Sequence, residues 1–364
     1  MSSTLNRWLI ALSDPQGEIP LPGGMPFGEC WRETLTEGIL SREPILRRGL
    51  EDTWIGALIT LLGLSDYHGT TPAVRKNLPR LGDLPGCDTA ALDAIHDGLG
   101  ERLLTQTAAT MVLGGYARDI KARLAEANLP GVILKGPSLA NAVYPIPALR
   151  TYTDIDVLVP REAIAPIREL LEGMGLAPQQ DYKADLKHDH DHYGEEVYSA
   201  IAPSGIGVCI ELHWNLVNSP SVQKGISVVY NDLVVDGRIP LESQLLIATV
   251  HGATSHQFDR LKFLVDTLQV LRTGETQFDL DALGALIGRT HTAGVVAMGC
   301  WLVDSLFGVR LGRELLATLH LRRPAWLDRR LLSPSVLLAN QPSPLAKSRK
   351  NLYRQRLKRR RKRL

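Results

Sequence analysis

Two aspartates separated by one residue, at the start of an apolar run, constrain this sequence more than any other feature. The run 154–159 (DIDVLV) is closed by Pro160 and predicts a buried strand. Because side chains alternate along a strand, Asp154 and Asp156 would share one face and Ile155 would enter the core. Two neighbouring carboxylates repel each other unless a cation lies between them, and oxygen ligands suit Mg²⁺. A solvated strand end without a metal is the alternative interpretation.

A second short motif precedes this strand. Residues 134–138 (LKGPS) predict the end of a strand, a glycine turn at Gly136 and the start of a helix. Such a turn leaves backbone N–H groups free at the positive end of a helix, where a phosphate binds. In that interpretation Lys135 neutralises the phosphate and Ser138 donates a hydrogen bond to it. In the alternative, Ser138 is only the N-cap of an ordinary helix.

A third carboxylate lies inside another apolar strand. Alternation over residues 208–214 separates an apolar face from a polar face that carries Cys209, Glu211 and His213. A carboxylate in such a strand needs a partner. Three interpretations remain open for Glu211: an edge residue in water, an ion-paired group, or the third acid of a metal cluster if this strand lies beside that of Asp154.

Sequence patterns divide the chain into four parts and predict an α+β fold in which helical regions flank a small mixed sheet. Helical periodicity from Glu101 to Ala127 predicts one long amphipathic helix before the sheet, and Pro203-Ser204-Gly205 predicts a hairpin turn within it. The parts are an N-terminal helical region (1–120), an α/β core (121–236), a C-terminal helical domain (237–345) and a basic tail (346–364).

Charge is unevenly distributed. The net charge is +2, but eleven of the 41 Lys and Arg residues lie between Lys347 and Arg363, which leaves 30 basic against 39 acidic residues and a charge of −9 for the rest. An acidic body argues against a broad nucleic-acid-binding surface. The tail is predicted to be disordered until it meets an anionic partner such as RNA, anionic lipid or an acidic protein.

Cysteine spacing and hydropathy predict a cytoplasmic protein. The four cysteines form no CxxC pair, which fits a reducing compartment. The N-terminus lacks the long apolar run of a signal peptide. The longest apolar run, from Ala293 to Val303, is shorter than the ~20 residues that a membrane span requires, so no span is expected.

Three stretches resemble the uncharacterised nucleotidyltransferases, a family of the DNA-polymerase-β-like superfamily. They are VILKGPSLANAVYPIPALRTYTDIDVLVP, IELHWNL and RLKFLVDTLQVL, in that order, and the similarity extends over residues 45 to 275. The resemblance implies a polymerase-β-like nucleotidyltransferase core. It also implies an enzyme that moves a nucleoside monophosphate, AMP by expectation, from an NTP to a hydroxyl or phosphate of a small-molecule, sugar or peptide acceptor.

The resemblance also implies catalytic and metal-binding roles. Asp154, Asp156 and Glu211 would match the carboxylates that bind Mg²⁺, with Mn²⁺ as the alternative cation. Glu211 or one of the aspartates would accept the proton of the acceptor.

Further matches concern the nucleotide. Gly136 and Ser138 would hold the triphosphate, although Pro137 separates them where the superfamily has adjacent Gly and Ser. Lys135 and Arg150 match family positions as well. Arg150 would either contact phosphate or pair with Asp154.

Other polar residues keep more than one interpretation. His188, His190 and His192 alternate, which is typical of a transition-metal site, a substrate-phosphate contact or a solvated loop. His251 and His256 lie on a predicted helix and are interpreted as structural, with the alternative that His251 lines the cleft between the core and the C-terminal helices. Arg260, Lys262 and Asp266 match family positions. They are interpreted as solvated helix charges, with the alternative that Arg260 or Lys262 reaches the nucleotide.

Two other functions compete with the transferase. One is a non-catalytic nucleotide- or partner-binding protein on the same fold, which intact Asp154, Asp156 and Glu211 argue against. The other is an RNA-directed nucleotidyltransferase that holds RNA with the basic tail, which the acidic body argues against.

Overall fold

A computed structural model of the chain describes residues 4–23, 27, 53–179, 194–338 and 343–359. Helices surround a five-stranded mixed sheet, so the predicted α+β class is confirmed. The strands are β1 (Val132–Ile133), β2 (Ile155–Leu158), β3 (Ala177–Pro178), β4 (Glu195–Ile201) and β5 (Gly207–His213). Within the described ranges, the model contains no helix with the length and hydropathy of a membrane span.

The strand order across the sheet is β1-β2-β5-β4-β3. β2 pairs with β5 in parallel, and the other neighbouring strands are antiparallel. β4 and β5 form the predicted hairpin, and Gly205 in its turn has a φ of 79°, a conformation that favours glycine. The parallel pair therefore brings together two strands that are more than fifty residues apart in the chain.

Six helices precede β4 in the described part of the chain, with short 3₁₀ turns at Leu78–Leu81, Pro147–Leu149 and Arg161–Ala163. They are α1 (Thr4–Leu12), α2 (Thr53–His68), α3 (Thr71–Asn77), α4 (Thr89–Glu126), α5 (Pro137–Val143) and α6 (Ile164–Gly173). The long helix predicted from Glu101 begins earlier, at Thr89, because the Asp88 carboxylate caps it by accepting a hydrogen bond from the Ala91 backbone N–H.

Helices also follow the sheet. They are α7 (Pro220–Gln223), α8 (Tyr230–Leu233), α9 (Leu241–Thr254), α10 (Leu261–Gln277), α11 (Leu280–Arg289), α12 (Ala293–Phe307), α13 (Leu311–Thr318), α14 (Trp326–Leu331), α15 (Pro334–Leu337) and α16 (Pro344–Arg359). The helices α9 through α15 lie within residues 237–345, the part of the chain that was predicted to be helical.

Two hydrophobic cores lie on opposite faces of the sheet. On one face Val157 of β2 packs in a cluster with Ile120 of α4 and Ile167 of α6. The larger core joins the N-terminal and C-terminal helices, since it contains Trp8, Leu58, Leu264 and Val296. The predicted parts 1–120 and 237–345 therefore share one core.

The prediction of disorder in the basic tail is wrong for residues 346–359. These residues belong to α16, in which Tyr353 and Leu357 are fully buried. Their spacing of four residues places both on one face of the helix, and the Arg356 Nε donates to the buried Asp328 carboxylate at 2.6 Å. Apolar burial and this ion pair together account for the helix, which the charge density of the sequence had obscured.

Candidate active site

Strand register brings the predicted acids of β2 and β5 together. Asp156 is directly paired with Glu211, and Leu158 with His213. Alternation then places Asp156, Glu211 and His213 on one face of the sheet. One ligand atom from each of these three side chains lies within 4.8 Å of the others. The adjacency on which the predicted role of Glu211 depended is therefore present in the structure.

His213 lies at the centre of this group, a position that the sequence did not reveal. Its Nε2 is 3.0 Å from Asp156 Oδ1 and 3.3 Å from Glu211 Oε2, and its Nδ1 is 3.3 Å from Glu195 Oε2. Burial alone lowers the pKa of His213, but the hydrogen bonds to Asp156 and Glu211 and the charge of Glu195 raise it to about 10. In the absence of a metal, His213 is thus an imidazolium among three carboxylates.

A lysine ammonium also contacts Asp156. Lys135 Nζ lies 2.7 Å from Asp156 Oδ1, and both side chains are buried. Burial raises the pKa of Asp156, whereas the charge of Lys135 and the His213 hydrogen bond together hold it well below its usual range. Lys135 Nζ also donates to His251 Nδ1 at 3.1 Å, which is consistent with a neutral His251 whose pKa is well below normal because of burial and the Lys135 charge. His251 of α9 therefore contacts the lysine that pairs with Asp156.

Asp154 lies beside the three-residue group rather than within it. Burial and the charge of Asp156 raise its pKa, Lys135 lowers it, and Glu211 raises it further. Asp154 therefore lies within electrostatic reach of the paired acids. The repulsion predicted for adjacent carboxylates is present, with Lys135 and His213 as the compensating cations.

The turn between β1 and α5 requires glycine. Gly136 has φ 55° and ψ −121°, and a Cβ there would lie 3.4 Å from Tyr152 Cδ2. Ser138 is the second residue of α5, and its backbone N–H donates to the Lys135 carbonyl. The alternative prediction of Ser138 as N-cap is wrong, because Gly136 occupies that position.

The predicted pairing of Arg150 with Asp154 is wrong. Arg150 binds Asp266 of α10 with two hydrogen bonds, Nε to Oδ1 at 2.8 Å and Nη2 to Oδ2 at 2.9 Å. Its Nη1 donates to the Gly136 carbonyl at 3.3 Å, and the Tyr144 hydroxyl donates to Asp266 at 2.6 Å. A buried carboxylate needs such partners, and Asp266 is the carboxylate that the Arg150 guanidinium binds. Arg150 ties the Gly136 turn to α10.

Three further polar residues of the C-terminal helical region make contacts that separate structural groups from groups near the acids. Arg260 lies over the Tyr67 ring at 4.3 Å and donates to the Tyr67 carbonyl, so it links α10 to α2. His256 stacks on Phe263 with ring centroids 4.3 Å apart, a structural contact. Lys262 is partly buried; burial and the Arg150 charge lower its pKa, whereas Asp266 and Asp154 raise it. Of the two cations, Lys262 is the one near the acids.

The histidine run at His188, His190 and His192 lies outside the described residues. Its predicted alternatives therefore stay predictions.

One family model matches most of the chain. The model of the family described as "Uncharacterised nucleotidyltransferase" matches residues 59–308, more than half of the chain. The match ends in the loop after α12, beyond the limit of residue 275 that the sequence motifs suggested. No curated protein and no solved structure matches the chain. The chain belongs to the uncharacterised nucleotidyltransferase family and is a nucleotidyltransferase.

Proposed function

We propose that this protein is a Mg²⁺-dependent enzyme that transfers AMP from ATP to a hydroxyl or phosphate of a small-molecule, sugar or peptide acceptor. We further propose that its sheet is a polymerase-β-like core, with Asp154, Asp156 and Glu211 as the metal-binding acids. The observation that carries the proposal is the pairing of Asp156 with Glu211 across parallel strands. Asp154 directly precedes β2 and lies close enough for the charge of Asp156 to raise its pKa.

The donor set fits a divalent cation. Carboxylate oxygens suit Mg²⁺, and the imidazole of His213 is a donor that Mn²⁺ accepts more readily. A bound divalent cation would lower the pKa of an acceptor hydroxyl and stabilise the charge of the leaving pyrophosphate. Lys135 and His213 supply the compensating positive charge in the metal-free protein, which supports a cation-binding role for these acids.

Exposure separates the roles of the acids. The Glu211 side chain is 27% exposed, whereas that of Asp156 is 2% exposed. An acceptor can approach Glu211 Oε2, so Glu211 is the proposed acceptor of the hydroxyl proton. Asp156, held ionised by Lys135, is the proposed anchor of the cation. Lys262 and the Gly136 turn flank the cluster and are the proposed contacts of the triphosphate.

Calorimetry tests this proposal. ATP, GTP, CTP and UTP are titrated into wild type, Asp156→Asn and Glu211→Gln, each with Mg²⁺ and with EDTA. Removal of an acid by itself eases repulsion of a triphosphate, so the informative quantity is the Mg²⁺-dependent gain. We expect Mg²⁺ to raise the nucleotide affinity of wild type at least about tenfold, equal to ~1.4 kcal/mol. This gain in affinity should be largest with ATP and should be lost in both variants.

Asp97→Asn is the matched control, because the Asp97 side chain is 85% exposed and lies on α4 away from the acids. It should keep the full gain. A wild type that binds all four nucleotides equally with Mg²⁺ and with EDTA, or an Asp156→Asn variant with the wild-type gain, would contradict the proposal.

A further inference from the structure

The positive charge of the chain is concentrated in one segment. Residues 321–364 contain fifteen of the 41 Lys and Arg residues and a single acid, Asp328, so their net charge is +14. The rest of the chain has 26 basic and 38 acidic residues, a net charge of −12. Asp328 is buried and bound by Arg356, so no acid of this segment offsets its exposed cations. An anionic surface would attract the basic segment and repel the rest, and would therefore bind the protein in one orientation.

Two helices that contact each other carry the described part of this charge. The Arg356 Nε of α16 donates to Asp328 Oδ1 of α14 at 2.6 Å, which joins the two helices. Their exposed cations include Arg322, Arg323 and Arg330 before and within α14, and Lys347 and Lys358 of α16. We call the exposed side chains of residues 322–330 and of α16 the C-terminal basic surface.

Large apolar side chains are exposed among these cations. Trp326 and Leu327 begin α14, and Leu345 and Leu352 belong to α16; all four are exposed, Trp326 by 63% and Leu345 by 68%. The Arg330 Cζ lies 5.4 Å from the centroid of the Trp326 ring, so an indole and a guanidinium are presented together. The C-terminal basic surface therefore combines positive charge with exposed apolar area.

Helical spacing places the two leucines beside α14. Leu345 and Leu352 are seven residues apart and Arg356 follows four residues later, so all three lie on one side of α16. Because Arg356 binds Asp328, this side of α16 is the one next to α14. A different side of α16, which carries the buried Tyr353, packs into the protein. The exposed apolar side chains of α14 and α16 thus lie on neighbouring parts of one surface.

This combination fits an anionic phospholipid surface better than RNA. Tryptophan and leucine side chains enter the boundary between lipid headgroups and acyl chains, while Lys and Arg bind the anionic headgroups. Binding of single-stranded RNA relies on aromatic rings that stack on the bases. In the described part of α14 and α16, Trp326 is the one exposed aromatic ring, since Tyr353 is fully buried. The three exposed leucines make no favourable contact with a phosphate backbone.

We propose that the C-terminal basic surface docks this protein on a membrane that contains anionic phospholipids. Trp326 and the exposed leucines enter the boundary between headgroups and acyl chains, and the neighbouring cations bind the headgroup phosphates. The acidic remainder of the chain is repelled by the same lipids and faces away from them. This docking is independent of the proposed nucleotidyl transfer.

Cosedimentation of the full chain with vesicles tests this proposal. The vesicles contain either phosphatidylcholine alone or phosphatidylcholine mixed equally with phosphatidylglycerol. We expect wild type to bind only the anionic vesicles, with an affinity that added salt lowers. Arg322→Gln/Arg323→Gln should lower this affinity at least about tenfold, because each cation near the lipid contributes to it. Lys121→Gln/Arg123→Gln is the matched control, since it removes two exposed cations of α4, and it should bind like wild type.

A second pair of variants leaves the charge unchanged and tests the apolar contact. Leu345→Ser should lower the affinity for anionic vesicles about fivefold, because the leucine side chain enters the lipid. Leu104→Ser is its matched control, since Leu104 of α4 is 67% exposed and lies outside the C-terminal basic surface. This control should keep the wild-type affinity.

Three results would overturn the docking proposal. Wild type that sediments with neither kind of vesicle has no lipid-binding surface. An equal loss of vesicle affinity in Leu345→Ser and Leu104→Ser would show that Leu345 does not enter the lipid. Salt-dependent binding of polyuridylic acid without binding of anionic vesicles would assign the surface to RNA. Asp156→Asn should bind vesicles like wild type, so loss of its Mg²⁺-linked nucleotide binding bears on the proposed function alone.

Discussion

Loss of the Arg150 guanidinium should destabilise the protein by several kcal/mol. The side chains of Arg150 and Asp266 are 12% and 8% exposed, and two hydrogen bonds join them. In Arg150→Met, Asp266 keeps only the Tyr144 hydroxyl as a strong partner. Removal of one partner from a buried ion pair costs about 3–5 kcal/mol, because the remaining charge is left uncompensated.

A double-mutant cycle measures this effect. Wild type, Arg150→Met, Asp266→Leu and the double variant are unfolded in urea, and tryptophan fluorescence gives the midpoint and the free energy of unfolding. The double variant should recover part of the loss, since no unpaired charge remains. Recovery should be incomplete by about 1–3 kcal/mol, because the buried Tyr144 hydroxyl loses its acceptor.

The cycle also separates the two predicted roles of Arg150. A structural role predicts a lower free energy of unfolding in both single variants. It also predicts a coupling free energy similar in size to the loss in either single variant. If Arg150→Met unfolds at the wild-type urea concentration but loses ATP affinity, Arg150 contacts the phosphates and the structural account is refuted.

Three further predictions follow from particular residues. Leu357→Ala should lower the free energy of unfolding, measured in urea, by about 2–5 kcal/mol, because Leu357 is fully buried in α16. Leu352→Ala in the same helix should change it little, because Leu352 is 51% exposed. Equal effects of the two substitutions would contradict the packing of α16 against the rest of the protein. The pKa of His213 is raised from 6.5 to about 10, so the stability that its positive charge contributes to the metal-free protein is complete below pH 6.5 and is lost as pH rises towards 10. Melting temperatures measured across this range should therefore fall more in wild type than in His213→Gln. Parallel curves for the two proteins would refute a charged His213. Gly136→Ala should lower the free energy of unfolding by about 1–3 kcal/mol, because Gly136 has φ 55° and ψ −121°. Gly173→Ala, at a helix position with open space around it, should leave the stability unchanged or raise it in differential scanning calorimetry. Unchanged stability in Gly136→Ala would show that the turn does not require glycine.

Local patterns in the sequence predicted much of the sheet. The strand that contains Asp156 and the hairpin at Gly205 follow from period-two alternation and from Pro and Gly at the ends, which act over a few residues. Glu211 was placed on a polar face in the same way. That face becomes a site only because β5 pairs with β2.

Long-range contacts explain what the sequence could not reveal. Asp266 lies 116 residues after Arg150, and no local pattern indicates that pairing. His213 was visible as a neighbour of Glu211 on one face, but its central position depends on the register with Asp156. The burial of Leu357 likewise depends on helices distant in sequence, whereas the charge density of the tail is a local property.

The central claim is that Asp156 and Glu211 together hold one divalent cation. Titration of Mn²⁺ followed by the electron paramagnetic resonance signal of the free ion measures this directly in wild type, Asp156→Asn, Glu211→Gln and the control Asp97→Asn. We expect a site in wild type and in the control whose affinity falls at least about tenfold in each of the other two variants, a loss of ~1.4 kcal/mol or more. Wild-type affinity in both Asp156→Asn and Glu211→Gln would contradict the claim.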